Sequence, residues 1–389
     1  MKRWLILLLG IGLCCASCSR AAPDHTRQLQ SEIGAAIDAA MQSPSGSDED
    51  IRRFFQEADG DGVVQIPAGC WEITAAITIP DGTRVFGAGM GETVLYRNPH
   101  KSSGMGLPIF RVRGQPDHGA TQISGIAFVG IRDTDDTGED YGITLLNCAD
   151  YRVDHCYFEG FGWAGVEVRG RSHGVIDHCV FVDNFKQGIN NLGYGVGVYG
   201  ANEWPDEVQK GAAETTTVED CVMVGSRHAI SSSAGARYVF RYNVVQGNVE
   251  AHAVDAHGMG WGNARGTRAV EIYANLIERP TDKWAGIVIR GGEGVVFDNT
   301  ITGYRNPILL VVEWGTPEAL KSSYPAFDQI RDLWVWDNTD GSGPTGPVVD
   351  ETAIGLVEKG RDYFTAAKPG YTPYAYPHPL AQGGPFDGD

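Results

Sequence analysis

The middle of the chain is written in short runs that alternate apolar and polar residues, each run broken by the same kind of bend. Val153-Asp154-His155-Cys156-Tyr157-Phe158 aligns with Ile176-Asp177-His178-Cys179-Val180-Phe181 and with Val218-Glu219-Asp220-Cys221-Val222-Met223. Phe240-Arg241-Tyr242-Asn243-Val244-Val245, Ile272-Tyr273-Ala274-Asn275-Leu276-Ile277 and Val296-Phe297-Asp298-Asn299-Thr300-Ile301 continue the pattern, and Trp336-Asp337-Asn338 reads as its last member. Positions 156, 179, 221, 243, 275 and 299 step by 23, 42, 22, 32 and 24 residues, so the longer steps are repeats carrying insertions. A second register pairs a small residue with a β-branched one: Gly142-Ile143, Gly165-Val166, Gly188-Ile189, Ala229-Ile230, Ala253-Val254 and Gly286-Ile287. Each pair opens a strand of period two.

One turn of chain per repeat, with like residues stacking about 4.8 Å apart, predicts an all-β parallel solenoid. Its Cys156, Cys179, Cys221 column and its Asn243, Asn275, Asn299 column are expected to be internal ladders at one bend. Residues 27 to 58 hold the amphipathic stretches Ile33-Gly34-Ala35-Ala36-Ile37 and Ile51-Arg52-Arg53-Phe54-Phe55, expected as a helical cap on the open end. Residues 62 to 69, 77 to 80 and 84 to 89 resemble the opening rungs of the pectate-lyase-like, right-handed parallel β-helix superfamily. The expected layout is a cap over 25–60, the β-helix over 61–340 and an irregular Gly/Pro-rich tail over 341–389.

At the start, Lys2 and Arg3 precede an apolar run and then Cys14-Cys15-Ala16-Ser17-Cys18. Residues 1–18 therefore read as a signal peptide, the apolar run being too short to span a bilayer. Cys15-Ala16-Ser17-Cys18 resembles a bacterial lipobox, which implies lipidation at Cys18 and a place in the cell envelope, at the outer membrane or in the periplasm; simple secretion is the alternative. A membrane is then met only through the lipid anchor. The remaining five cysteines contain no C-x-x-C pair, so the sequence announces neither a zinc site nor a complete disulfide framework.

Composition narrows the partners. The 52 glycines among 389 residues follow no Gly-X-Y period and suit the turns of a solenoid. With 49 acidic against 31 basic side chains, the net charge of -18 argues against a nucleic-acid partner. Residues 223 to 305 run the other way: nine Lys/Arg against seven Asp/Glu, a local +2. An anionic substrate therefore fits these rungs.

Alternation locates candidate chemistry on the first sheet. With Val166, Ile189, Ile230, Val254 and Ile287 inward, the outward pairs are Glu167 and Arg169, Asn190 and Leu192, Ser231 and Ser233, Asp255 and His257, Val288 and Arg290. His228 and His252 share a column just before these strands, with Arg227 beside the first. Two insertions, over residues 193–205 and 257–263, carry Tyr194, Tyr199, Trp204 and Trp261 as aromatic walls for a sugar. Asn190 and Arg241 are further candidates for substrate contact. The bland readings are a solvated polar strand face for Asp255 and His257, turn-capping for His228 and His252, and surface cations for Arg227, Arg241 and Arg290. The sequence requires no cofactor; calcium stays open as an option, though no run of acidic ligands over residues 223 to 305 announces a site for it.

His252-Ala253-Val254-Asp255-Ala256-His257 resembles the Tyr-Gly-x-Asp-Pro-His signature of alginate C5-epimerases. The resemblance carries over Asp255 and His257; it departs at His252, where that family has a proton-transferring Tyr, and at Ala256. Tyr194 and Tyr199 are the candidates to replace the Tyr. Together these features lead to a carbohydrate-active enzyme on a uronate polysaccharide. The expected reaction is lyase chemistry by β-elimination after C5 proton abstraction, with C5-epimerisation as the alternative sharing that first step. His257 is the expected base or acid, Asp255 its partner, His228 or His252 the second proton-transfer group, and Arg227 or Arg290 the charge neutraliser. A glycoside hydrolase and a non-catalytic carbohydrate-binding solenoid are the lesser readings.

Overall fold

Each repeat folds as three short strands because its apolar positions alternate and its small or polar residues fall where the chain must bend. The computed structural model describes residues 22–58, 62–97, 107–115, 120–131, 140–185, 192–247, 252–259, 264–312 and 328–382. One turn runs from Tyr141–Leu146 through Tyr151–Asp154 to Tyr157–Glu159, and the next from Ala164–Arg169 through Gly174–Asp177 to Val180–Val182. Equivalent strands pair in parallel and in register, Val153 on Ile176, Ile176 on Val218 and Val218 on Phe240. In the second sheet the stacking runs from Val63–Gln65 to Tyr363–Phe364. The fold is a right-handed parallel β-helix with three strands per turn.

Inward residues form columns. Phe128, Phe158 and Phe181 stack at 5.1 and 4.9 Å with no exposure to solvent, and such ring pairs add to the gain from area burial. At the bend between the second and third strands, Cys156, Cys179 and Cys221 are buried, unbridged, and donate their thiols to main-chain carbonyls. The column then changes to asparagine. Nδ2 of Asn243 donates to Oδ1 of Asn275 at 3.1 Å, Asn275 to Asn299 at 2.9 Å, and Asn299 to Asn338 at 2.9 Å. Each accepting Oδ1 also takes the main-chain N–H of the preceding ladder residue. The residue just before each ladder position (His155, His178, Asp220, Tyr242, Ala274, Asp298) is left-handed, with φ from 50 to 56° and no glycine among them. That conformation costs a non-glycine residue about 1 kcal/mol, and the ladder bonds on either side over-determine it.

The two N-terminal helices divide their work. In Asp48–Glu57, Ile51 is fully buried, Phe54 meets Trp71 edge-on at 6.2 Å, and Phe55 meets Phe110 in the same way. This helix closes the end of the core, and Ser47 with Asp50 forms its capping box. The other helix, Ala22–Met41, was expected to cap as well but lies along the side. Its Ile33 and Ile37 cover Val94, Tyr96, Val129 and Tyr157, apolar residues that point outward from the third sheet and need their own cover.

The C-terminal region is more regular than its composition suggests. Pro347–Val349 pairs with Ile308 to Leu310, and Tyr363–Phe364 with Leu333 and Trp334, so the rungs pass beyond residue 340. Proline and glycine at these short edge strands hide the alternation that marks the others. Residues 368 to 382 then run back over the outer face of the second sheet. There Arg241 donates to the carbonyls of Tyr374 and Ala375 at 2.7 Å each, and His378 N–H donates to Glu219 at 2.7 Å.

Replacing Asn275 by Ala removes an amide that makes three donations and accepts two bonds. It leaves the buried N–H of Asn243 without its partner, so a loss of about 3 kcal/mol is expected. Urea unfolding checks this: a midpoint unchanged from wild type would show that the ladder contributes nothing to stability.

Candidate active site

The first sheet's outer face is built rung by rung from Ala164–Arg169, Tyr194–Tyr199, His228–Ser233 and Val254–Ala256, continuing onto residues 287 to 290. Val166, Val196, Ile230, Val254 and Ile287 are in register and point into the core. The outward column beside them is Glu167, Gly197, Ser231, Asp255 and Val288. The second outward column holds Arg169, Tyr199 and Ser233 in paired register, then His257 and Arg290, whose N–H groups donate to Ser232 and Ala256 on the preceding rungs.

One expected rung was misplaced. Gly188-Ile189 and Asn190 lie outside the described residues, and the strand between Ala164–Arg169 and His228–Ser233 is Tyr194–Tyr199, which the sequence had suggested as a loop. Val196 and Val198 supply its inward positions, so its outward residues are Gly197 and Tyr199 rather than Asn190 and Leu192. The shift puts Tyr194 in the histidine column. Its ring stacks on His228 at 5.7 Å, His228 stacks on His252 at 4.1 Å, and His252 meets Trp284 edge-on at 5.8 Å.

Arg290 joins the columns. Its Nε lies 3.2 Å from Oδ1 of Asp255, its Nη2 is 3.2 Å from Nε2 of His252, and its Nη1 is 3.4 Å from Nε2 of His257. Asp255 is 1% exposed; its Oδ2 accepts from the Ser231 hydroxyl at 3.3 Å, and its Oδ1 lies 3.2 Å from Nε2 of His252. Burial alone would raise the Asp255 pKa, but Arg290, followed by His252 and His257, outweighs it and holds the carboxylate well below its usual range. The neighbouring imidazoles go the other way. Burial lowers His252 to about 4 despite the attraction of Asp255. Burial, with His252 and Arg227 adding to it, pushes His228 well down too. Both rings are thus neutral at pH 7. His228 Nδ1 donates to the His252 carbonyl at 2.6 Å, which leaves its Nε2 without the proton.

Access separates the remaining groups. His228 and His252 are 2% and 1% exposed, whereas His257, Arg227 and Arg290 are half-buried at the surface of the groove. Arg227 donates to the Tyr194 hydroxyl at 3.1 Å. Burial raises the Tyr194 pKa, and Arg227 offsets part of that rise. An arginine N–H facing His257 Nε2, with Nδ1 near the Gly258 carbonyl at 3.4 Å, favours the tautomer in which Nε2 is a bare acceptor. His228, His252 and Asp255 are the one group among the described residues whose potential metal-ligand atoms fall within 4.8 Å of one another. Arg290 lies within hydrogen-bond reach of two of them and already supplies the positive charge there, so this donor set fits a cation poorly.

Other expected contacts fall elsewhere. Arg241 is on the second sheet, fully buried, paired with Glu219 at 2.6 Å and covered by the C-terminal segment; it is structural. Trp204 lies against Arg265 and Arg268, their guanidinium carbons 4.6 and 5.1 Å from its ring centre, and anchors its insertion rather than facing Arg290. Trp261 and Cys18 lie outside the described residues. Sequence reasoning missed Trp163 and Trp284. Their signal is positional, since each stands immediately before a residue of the Tyr194–His228 column or its continuation (Ala164, Ala285).

No protein-family model matches the chain, and no curated protein matches it in sequence. Solved structures do match in fold. The A-module of the Azotobacter vinelandii mannuronan C-5 epimerase AlgE4 is 16% identical with a TM-score of 0.51, over 89% of this chain and 95% of that one. The A-module of AlgE6 from the same organism is 17% identical with a TM-score of 0.51, over 82% of each chain. Both support the parallel β-helix architecture.

A histidine whose pKa falls on folding is protonated first in the unfolded chain. Stability should therefore decline as pH drops from 6.5 towards about 4 and be level above that window. His252→Gln, uncharged throughout, is expected to remove roughly 3 kcal/mol of that decline. Denaturant midpoints of both proteins between pH 4 and 7 provide the check, and identical pH profiles would show that His252 is not held neutral.

Proposed function

We propose that this chain is a polysaccharide lyase that cleaves a uronic-acid-containing polymer by β-elimination. The observation carrying the proposal is Arg290, a partly exposed guanidinium within 3.4 Å of a buried carboxylate and two imidazoles. The C5 proton of a uronate becomes removable when the charge of its carboxylate is neutralised, and Arg290 with Arg227 would do this. His257, at the groove surface with its Nε2 unprotonated in the favoured tautomer, is the candidate base. Tyr194, with its proton held by a raised pKa and its oxygen touched by Arg227, is the candidate acid for the departing O4. Asp255, His252 and His228 would hold Arg290 and the ring stack in place. The fold neighbours named as mannuronan C-5 epimerases agree with the architecture, but the proposal stands on these side chains.

A polysaccharide C5-epimerase is the alternative. It removes the same proton and then returns one to the opposite face, and two proton-transfer candidates on different rungs, Tyr194 and His257, suit that as well. A glycoside hydrolase suits the site less. Asp255 is held ionised and has no proton to give, and Glu167 lies three rungs away, about 14 Å, tied to Arg169 at 2.7 Å.

Incubation with a panel of uronate polysaccharides in deuterated water separates the readings. Ultraviolet absorbance of an unsaturated product is the expected result; deuterium at C5 without unsaturation would favour the epimerase, and neither on any polymer would overturn both. His257→Ala and Arg290→Ala are each expected to lower the rate about a hundredfold or more, and Arg290→Lys should not restore it, because one ammonium cannot replace the guanidinium fork.

A further inference from the structure

On the rungs before Asp255 the strands of the first sheet, Ala164–Arg169, Tyr194–Tyr199 and His228–Ser233, are six residues long, but Val254–Ala256 has three. His257 therefore stands just past a strand end, and its main chain needs another support. Its N–H keeps the ladder bond to the Ser232 carbonyl at 3.0 Å. In a regular ladder its own carbonyl would take the Ala234 N–H. Instead Ala234 donates to Arg265 at 2.9 Å, Gly235 to Gly266 at 2.6 Å, and the His257 carbonyl takes the Thr267 N–H at 2.7 Å. The returning end of the insertion thus lies beside the residue from which the insertion departs. Gly266 permits this approach, since a β-carbon there would lie 2.8 Å from the Gly258 carbonyl carbon. The Gly266 N–H is fixed in turn by Oδ2 of the buried Asp328 at 2.7 Å.

Beneath this point the core turns polar. One inward column of the first sheet runs Val112, Leu145, Val168, Val198, Ser232, Ala256, Ile289 and Leu310, apolar throughout except at Ser232. Ser232 has no exposure, and a hydroxyl buried there is costly unless it is bonded. Its Oγ lies 2.8 Å from Oγ1 of the equally buried Thr267 and 3.3 Å from the Asp255 carbonyl, which the Tyr238 hydroxyl also approaches at 3.4 Å. Thr267 Oγ1 in turn donates at 2.9 Å to the Ser232 carbonyl, the same acceptor that takes the His257 N–H. We infer that Thr267, with Ser232 as its partner, is a positioning residue that sets where His257 Nε2 stands against Arg290. Thr267 grips both sides of the His257 main chain, by its own N–H on the carbonyl and by its hydroxyl on the acceptor of the N–H. This rests on the role proposed above for His257 as base, and adds to it the group that aims the imidazole.

Thr267→Val keeps the N–H and the shape of the side chain and removes only the hydroxyl. It should lower kcat about tenfold on a uronate polymer with KM unchanged, because the imidazole is displaced at the chemical step and not in binding. In NMR of the free protein with nitrogen-labelled histidine, the His257 Nε2 resonance, identified by its loss in His257→Gln, should shift. Thr267→Ser should restore both the rate and the resonance. Thr216→Val removes an equally buried hydroxyl, the partner of Tyr151 at 3.2 Å on the second sheet, and should change neither. A wild-type His257 resonance in Thr267→Val, no recovery in Thr267→Ser, or an equal shift in Thr216→Val would each overturn the inference. Should Thr267→Val alone fail to fold, the double variant Ser232→Ala, Thr267→Val removes both members of the hydroxyl pair at little cost and is read in the same way. If no polymer is turned over, the lyase reading fails, while the resonance, recorded without substrate, still decides the positioning.

Discussion

In-register parallel stacking places every side chain of this solenoid directly over its counterpart one turn earlier, about 4.8 Å away. The spacing suits identical groups that can satisfy one another, as the phenylalanine and asparagine columns do. It is unforgiving to charge, because a buried carboxylate cannot move away from whatever the next rung supplies. Asp255 is the sharpest case. With 1% exposure it would be costly as a lone ion, and it remains ionised chiefly because Arg290 from the following rung lies at 3.2 Å. Remove Arg290 and the carboxylate must take a proton or be hydrated. The groups around it follow from that demand.

The same device appears twice, with different outcomes. On the second sheet, Arg152 and Asp177 pair at 2.9 Å and Glu219 and Arg241 at 2.6 Å. There the C-terminal segment supplies carbonyls to the arginines and covers them, so the charges are fully used in joining tail to solenoid. On the first sheet the Arg290 side chain keeps 13% exposure beside a half-buried His257. A buried ion pair by itself is weak evidence of function. The proposed role of Arg290 rests instead on its place between a buried carboxylate and two imidazoles.

The ladders and the small–β-branched register could be read from the chain because each rung repeats its own residue types, and repetition is what a sequence displays best. The Asp255, His257 and Arg290 grouping was legible for the same reason, since alternation within a strand and spacing between strands are both fixed. Tyr194 was harder. Gly188-Ile189 and Gly195-Val196 both fit the two-residue signature, and only the further alternation at Val198 marks the strand that forms. Arg241 could not be told from Arg290 by sequence: both point outward from a strand, and what separates them is a segment more than 130 residues later in the chain. Ala22–Met41 was misjudged similarly, because an amphipathic helix records that it needs an apolar partner but not which face supplies one.

Charge counting shows how far the geometry refines composition. The local excess of two positive charges over residues 223 to 305 suggested an anion site, yet much of it is internal. Arg241, Arg265 and Arg268 are paired with Glu219, Asp328 and Glu293. What matters is the balance at one place. Around the ring stack, Arg227 and Arg290 face a single described carboxylate, Asp255, while His228 and His252 are neutral at pH 7. Two cations against one anion leave one positive charge in a poorly solvated groove, which is the complement of one substrate carboxylate. A neutral sugar would leave that charge unmet, and a more highly charged group such as a phosphate monoester would overfill it. On the proposed uronate reading, the acidic scaffold, at -18 overall, would favour only an anion whose charge is matched locally.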